Sequence, residues 1–220
     1  MTGGQREEDS LEELVSVFVH ELKTPIAAVQ GLAATLSRSL DELDRETALQ
    51  VAAALERSAL HLGQLVRSFH AGLPLNPEPT DLAALVRETV EELEPLLADR
   101  QVELDLDDAP PVSVDPVRIR QVLTNLLTNA VRYTPLGSPI GVTLRQAGET
   151  VELSVRDHGP GIRPEEVERA FDRYGRLRPD GSGSGLGLYV SRELARAHGG
   201  NLLAGQPEGD GALLVLQLPR

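Results

Sequence analysis

The sequence predicts a two-domain α+β protein: a helical hairpin forming a dimeric four-helix bundle, then an α/β sandwich built on a mixed sheet with helices on one face. Three observations predict it. Apolar residues recur every three or four positions between Leu11 and Phe69. The segment Gly72-Leu-Pro-Leu-Asn-Pro-Glu-Pro79 then crowds three prolines into eight residues, which excludes a helix or a central strand. After it, helical and alternating periods mix irregularly, as expected for a sheet covered by helices.

Taken in order, residues 1–9 read as a disordered lead-in and residues 10–72 as the first domain. Leu11, Leu14, Phe18, Leu22, Ile26, Val29, Leu32, Leu36 and Leu40 form one helical stripe. Leu49, Ala52, Leu55, Ala59, Leu62, Val66 and Phe69 form a second. The polar connection from Leu40 to Asp44 offers Asp44 as the N-cap of the second helix. Two helices cannot enclose an apolar stripe between them, so a second copy is expected to complete a four-helix bundle. Residues 73–80 read as the linker and 81–220 as the second domain. There the pattern predicts helices over 81–98, 116–133, 164–173 and 186–198. Strands are expected over 101–106, 111–114, 140–146, 150–156, 201–205 and 212–218, with a hairpin turning at Ala147-Gly148-Glu149.

Composition narrows the function. The 220 residues carry 34 acidic and 21 basic side chains, a net charge of −13, which argues against a phosphate-tracking nucleic-acid binder. There is no cysteine, hence no disulfide framework, thiol nucleophile or cysteine-based zinc site. No stretch matches the roughly 18–20 apolar residues of a membrane span. The opening MTGGQREEDS lacks the basic and apolar regions of a signal peptide. A cytoplasmic protein, or the cytosolic part of a longer membrane receptor, is expected.

Five segments carry chemistry. In helix 116–133, led by Asp115-Pro116, the stripe Arg118, Gln121, Asn125, Asn129, Arg132 opposes a wide apolar face. Asparagine disfavours helix interiors by up to ~0.7 kcal/mol relative to alanine. The stripe is either a polar wall whose amide oxygens suit a hard cation and phosphates, or a solvated face. Asp157-His-Gly159-Pro-Gly161-Ile162 puts an acid at a strand end, where it can accept from an exocyclic amine while the glycines admit a base or ribose. Gly181-Ser-Gly183-Ser184-Gly185-Leu186-Gly187-Leu188 runs into a helix and is either a phosphate-binding loop or a flexible linker. Between these two glycine-rich segments lie Phe171 and Tyr174, in FDRYGR, bracketing an expected mobile lid.

The last segment is VFVHELKTPIAAVQGL. His61, His70, His158 and His198 read as ordinary surface or helix-end residues, whereas His20 has Glu21 beside it and Thr24 one turn on. Pro25 removes a helical hydrogen bond, at about 3 kcal/mol in a helix interior, which suits a helix that must bend.

In this order, HELKTP, QVLTNLLTNAVRYT, DHGPGI, FDRYGR and GSGLGL resemble the H, N, G1, F and G2 boxes of sensor histidine kinases, over nearly the whole chain from Ser10 to Pro219. The resemblance implies a dimerisation and phosphotransfer hairpin (HisKA type) followed by a Bergerat-type ATP-binding domain. It implies that His20 is the phosphoacceptor, Glu21 the acid that polarises its ring, and Thr24 the residue that orients water during dephosphorylation. It implies ATP and Mg²⁺ as cofactors, with Asn129 as the metal ligand and Asn125 also facing the phosphates. Arg132, where the family commonly has lysine, and Tyr133 continue that wall. Asp157 would read the adenine amino group in a pocket shaped by Gly159, Gly161 and Ile162. Phe171 and Tyr174, the latter where phenylalanine is frequent, would flank the nucleotide with Gly183, Ser184, Gly185, Leu186, Gly187 and Leu188. The implied partners are a second copy of the chain and the receiver domain of a response regulator.

Related Bergerat-fold ATPases and serine kinases usually carry a glutamate four residues before the metal-binding asparagine. Here that position is Asn125, which cannot act as a general base. They also lack a HELKTP hairpin. An idle scaffold is disfavoured because no box is broken, while phosphatase action is compatible with kinase action.

Overall fold

A computed structural model describes residues 22–38, 43–70, 75–173, 175, 177, 185–205, 207 and 209–220. The chain divides into two compact units, with described residues 22–70 in the first and 75–220 in the second.

In the first unit, helix α1 covers the described residues 22–38 and α2 runs over Arg45–His70. Asp44 caps α2 as expected: its carboxylate accepts from the Thr47 backbone N–H at 2.8 Å and the Thr47 hydroxyl at 2.9 Å. Those bonds, the backbone one foremost, hold the Asp44 carboxyl below the usual aspartate range. Ile26 and Leu49, one from each apolar stripe, remain 41% and 61% exposed.

The second unit is assembled on a five-stranded sheet of order β2-β4-β5-β7-β6. Its strands are β2 Val102–Leu106, β4 Ile140–Ala147, β5 Thr150–Arg156, β6 Asn201–Gly205 and β7 Leu213–Pro219. β2 runs parallel to β4, with Val102 opposite Ile140; the other pairs are antiparallel, so the sheet is mixed as predicted. Alternate residues on the central strands are buried: Ile140, Val142 and Leu144; Val151, Leu153 and Val155; Leu214, Leu216 and Leu218. That period of two marks one covered face and one open face. The cover comes from α3 Leu82–Glu92, α5 Pro116–Tyr133 and α7 Gly187–Ala197. α5 supplies the largest share of the core through Ile119, Val122, Leu123, Leu126 and Leu127.

Three expectations need correction. Residues 78–80 of the expected linker form strand β1, Glu78–Thr80, antiparallel to β3 Val112–Val114. A two-stranded ribbon tolerates Pro79, which needs no inward N–H at a sheet edge. The helix expected over 81–98 breaks at Leu93 into α3 and a short α4, Glu94–Leu97. Pro95 has no N–H to continue the ladder and its ring crowds the preceding turn. The helix expected over 164–173 is a 3-10 turn, Pro164–Glu166, then α6, Val167–Phe171, ended by the extended backbone of Asp172.

Candidate functional site

The site starts where β5 ends. Asp157 is 9% exposed, and its Oδ1 accepts from the backbone N–H groups of Gly159 at 2.8 Å and Ala212 at 3.0 Å. Its own N–H donates to the Ala212 carbonyl at 2.9 Å, so the residue is locked to the start of β7. Oδ2 takes neither bond, which leaves an oriented acceptor for an external donor. Close approach forbids side chains around it. A Cβ on Gly159 would stand 2.7 Å from the Tyr133 carbonyl oxygen, and one on Gly211, at φ 117°, would overlap the Asp157 carbonyl. Gly161 packs against the Gly211 carbonyl, and Ile162 is half-buried beside it.

The polar stripe of α5 is not a solvated face. Arg118, Gln121 and Asn125 are buried at 8%, 9% and 5% exposure, while Asn129 and Arg132 are half-buried. Asn125, expected to face phosphates, instead spends its amide nitrogen on α7. It donates to the Gly187 carbonyl at 3.4 Å and the Ser191 hydroxyl at 3.2 Å. Asn129, one turn on, lies beside the first residue of α7: a Cβ on Gly187 would stand 4.0 Å from its Nδ2. Arg132 makes no hydrogen bond or ion pair among the described residues.

α7 begins differently from its neighbours. Asp81 and Asp115 cap α3 and α5 through bonds to Ala84 and Arg118 N–H groups, whereas α7 has neither a side-chain cap nor an acid in its first turn. With no capping side chain among the described residues, its positive dipole end suits an anion. Its other end is tied to α5 by His198, which sequence reasoning dismissed as an ordinary helix-end residue. The ring's Nδ1 bonds the Leu194 carbonyl at 2.7 Å, and Nε2 accepts from the Asp115 backbone N–H at 3.0 Å. Asp115 also accepts from the Asn76 N–H at 3.0 Å. Burial pushes its carboxyl up, but the N–H groups of Asn76 and Arg118 and the Arg118 charge together hold it below the usual aspartate range.

Of the other expected site residues, Phe171 needs correction. It is 1% exposed, with the Arg192 guanidinium 4.8 Å from its ring centroid, so it anchors α6 to α7 instead of lining a ligand. Leu186 is likewise buried in the core, Leu188 and Gly185 are half-exposed, and Tyr133 is 37% exposed. Thr24 is exposed on α1. His20, Glu21, Tyr174, Gly183 and Ser184 lie outside the described residues. Sequence reasoning missed Gly211 and Ala212, Ser191, Arg192 and the bridging of His198. Gly209-Asp-Gly211 is a legible turn, but nothing local tells that it meets Asp157.

These residues fit a nucleotide with its cation. Oδ2 of Asp157 matches an exocyclic amine, the uncapped start of α7 matches phosphates, and the Asn129 amide oxygen suits a hard ion that takes its remaining ligands from phosphate and water. No helix among the described residues is long and apolar enough to cross a membrane.

Comparison with known proteins agrees. Residues 10–71 match the His Kinase A (phospho-acceptor) domain, and residues 114–220 match the histidine kinase-, DNA gyrase B- and HSP90-like ATPases. The adaptive-response sensory kinase SasA of Synechococcus sp. (strain JA-3-3Ab) is 32% identical over 96% of this chain and 60% of its own length. Full-length ShkA, solved with AMPPNP, superposes with a TM-score of 0.70 at 28% identity over 94% of this chain and 45% of its own. The Acinetobacter baumannii histidine kinase AdeS gives 0.67 at 27% identity over 91% of this chain and 97% of its own. The chain thus spans less than two thirds of SasA and of ShkA. With a phospho-acceptor domain leading into an ATPase domain of this geometry, the chain belongs to the sensor histidine kinases of two-component systems.

Proposed function

We propose that the chain is a protein-histidine kinase that phosphorylates itself on His20 from ATP and passes the phosphoryl group to an aspartate of a response regulator. The observation that carries this reading is the Asp157 carboxylate, with Oδ1 committed to two backbone N–H groups and Oδ2 open to an adenine amino group. In the reaction, a neutral ring nitrogen of His20 attacks the γ-phosphorus. The nitrogen–phosphorus bond forms, the bond to the β,γ-bridging oxygen breaks, and ADP leaves. Glu21 accepts the hydrogen bond of the other ring nitrogen and steadies the charge that develops on the imidazole. A regulator carboxylate then takes the phosphoryl group as an acyl phosphate and His20 returns to its free form. Bound Mg²⁺ would neutralise phosphate charge, and Asn129 would hold it. Gly183, Gly185 and Gly187 would surround the phosphates, with Asn125 setting the position of Gly187.

A homodimer through residues 10–72 is part of this reading, supported by the exposure of Ile26 and Leu49 on the apolar stripes. Both ATP and a regulator partner put the chain on the cytosolic side.

Incubation with γ-labelled ATP and Mg²⁺ tests the reading. Label on the protein should survive base, be lost in acid and fail to appear in the presence of a chelator. His20→Gln should abolish it while ATP still binds; label retained in that variant moves the acceptor elsewhere and overturns the assignment. We further propose that Thr24 orients a water against the regulator's acyl phosphate. Thr24→Ala should then spare self-labelling and slow regulator dephosphorylation about tenfold or more. Parallel losses in both rates would reduce Thr24 to supporting the turn before Pro25.

A further inference from the structure

We infer that Arg100, outside every sequence motif of the site, is a positioning residue for its base-binding end. This rests on the reading of Asp157 as the acid that recognises adenine. α5 ends at Tyr133 because Pro135 follows. In a continuing helix the Val131 carbonyl would accept from the N–H of residue 135, and proline has none. Arg100 supplies the missing donor: its Nη2 bonds the Val131 carbonyl at 3.1 Å and the Thr134 carbonyl at 3.2 Å. A cation at this end also complements the helix dipole. The neighbouring carbonyl, Ala130, is closed by the Thr134 hydroxyl at 2.6 Å. The chain leaving α5 is held by the same short strip, through Gly137 N–H to the Asp99 carbonyl at 3.1 Å and Ile140 N–H to the Gln101 carbonyl at 2.9 Å.

Between the two carbonyls that Arg100 grips lies Tyr133, whose own carbonyl forms the wall against which Gly159 packs. Gly159 in turn donates to the Asp157 carboxylate. Arg100 therefore sets where the back of the base pocket stands. The phosphate end is tied separately, through Asn125 and Gly187, two turns earlier on α5. Loss of Arg100 should loosen recognition of the base and leave recognition of phosphate intact. That split is what separates positioning from general stabilisation.

The test uses the full chain with Arg100→Met, which keeps the aliphatic stem but no donor, and Arg100→Gln, whose amide can serve one carbonyl. The concentration of ATP needed for half-maximal self-labelling should rise about tenfold in Arg100→Met and about threefold in Arg100→Gln, with the maximal rate within about twofold of wild type. The preference for ATP over GTP should fall by similar factors, while inorganic tripolyphosphate binds as in wild type. Either folded variant with wild-type ATP dependence and ATP/GTP preference overturns the proposal. So does parallel loss of maximal rate and tripolyphosphate binding, which marks a merely structural role. A wild-type chain with no preference for ATP removes the adenine reading of Asp157, and the proposal with it; a wild-type preference that persists unchanged in both variants removes only the role of Arg100.

Discussion

Asp157→Asn is expected to weaken ATP binding by about two orders of magnitude or more, in a protein that still folds. The native carboxylate has two acceptor oxygens: Oδ1 serves the N–H groups of Gly159 and Ala212, and on the proposed reading Oδ2 would serve the base. An asparagine has one acceptor. With its oxygen toward the two backbone donors, its NH₂ meets the adenine amino group, donor against donor. Flipped, it meets the base correctly but turns its NH₂ on two N–H groups in a site that is 9% exposed. Each orientation leaves buried donors unpaired. Titration with ATP, alongside a thermal melt to verify folding, decides the matter; wild-type affinity in this variant would show that Oδ2 does not face the ligand.

Gly211→Ala is expected to cost the second unit about 3–5 kcal/mol and to remove ATP binding with it. The new Cβ would overlap the Asp157 carbonyl oxygen, come within 2.8 Å of its carbonyl carbon and within 3.1 Å of the His158 Cα. All three are backbone atoms, which no rotamer change moves aside, and the φ of 117° is itself foreign to alanine. Gly209→Ala is the internal control. Its φ is 86°, but no atom lies within 4 Å of the added Cβ, so only the backbone strain of about 1–2 kcal/mol remains. Denaturant or thermal unfolding of the two variants should differ clearly. Equal losses would mean that the turn yields and the contact with Asp157 is unimportant.

What the sequence displayed well was whatever repeats locally. The alternation in β4, β5 and β7, the apolar face of α5 and the caps at Asp44 and Asp115 depend on neighbours within a few residues. β1 was hidden because three residues containing a proline carry no period, and only pairing with β3, far along the chain, makes them a strand. The break at Leu93 was legible, since Pro95 announces it, and was masked by an apolar pattern that continues through Leu96 and Leu97. At the site, Asp157 and Asn129 stood out by residue type and spacing. Asn125 did not reveal its role, because a polar stripe looks the same whether it meets phosphate, solvent or, as here, the side of α7. Phe171 misled for a related reason: a scarce aromatic near glycines suggests a ligand, and nothing local announces Arg192 above its ring. Gly211 and Ala212 are separated from Asp157 by more than fifty residues, and that distance concealed their part in the pocket.

The same separation bears on how the protein comes off the ribosome. Synthesis delivers β4 and β5 as a finished hairpin, with Asp157 just past the end of β5, long before Ala212, the second backbone donor that holds that carboxylate in place. β7 inserts late, yet it occupies an inner position between β5 and β6. Until it arrives, β5 presents an open edge carrying Val151, Leu153 and Val155, the sort of surface that chaperones bind and aggregates recruit. Nucleotide would rescue such an intermediate poorly, because the acid proposed to recognise it still lacks its bonds to Ala212. Binding of ATP would therefore report a finished sheet: the nascent chain acquires this ligand only after β7 has closed the middle of it.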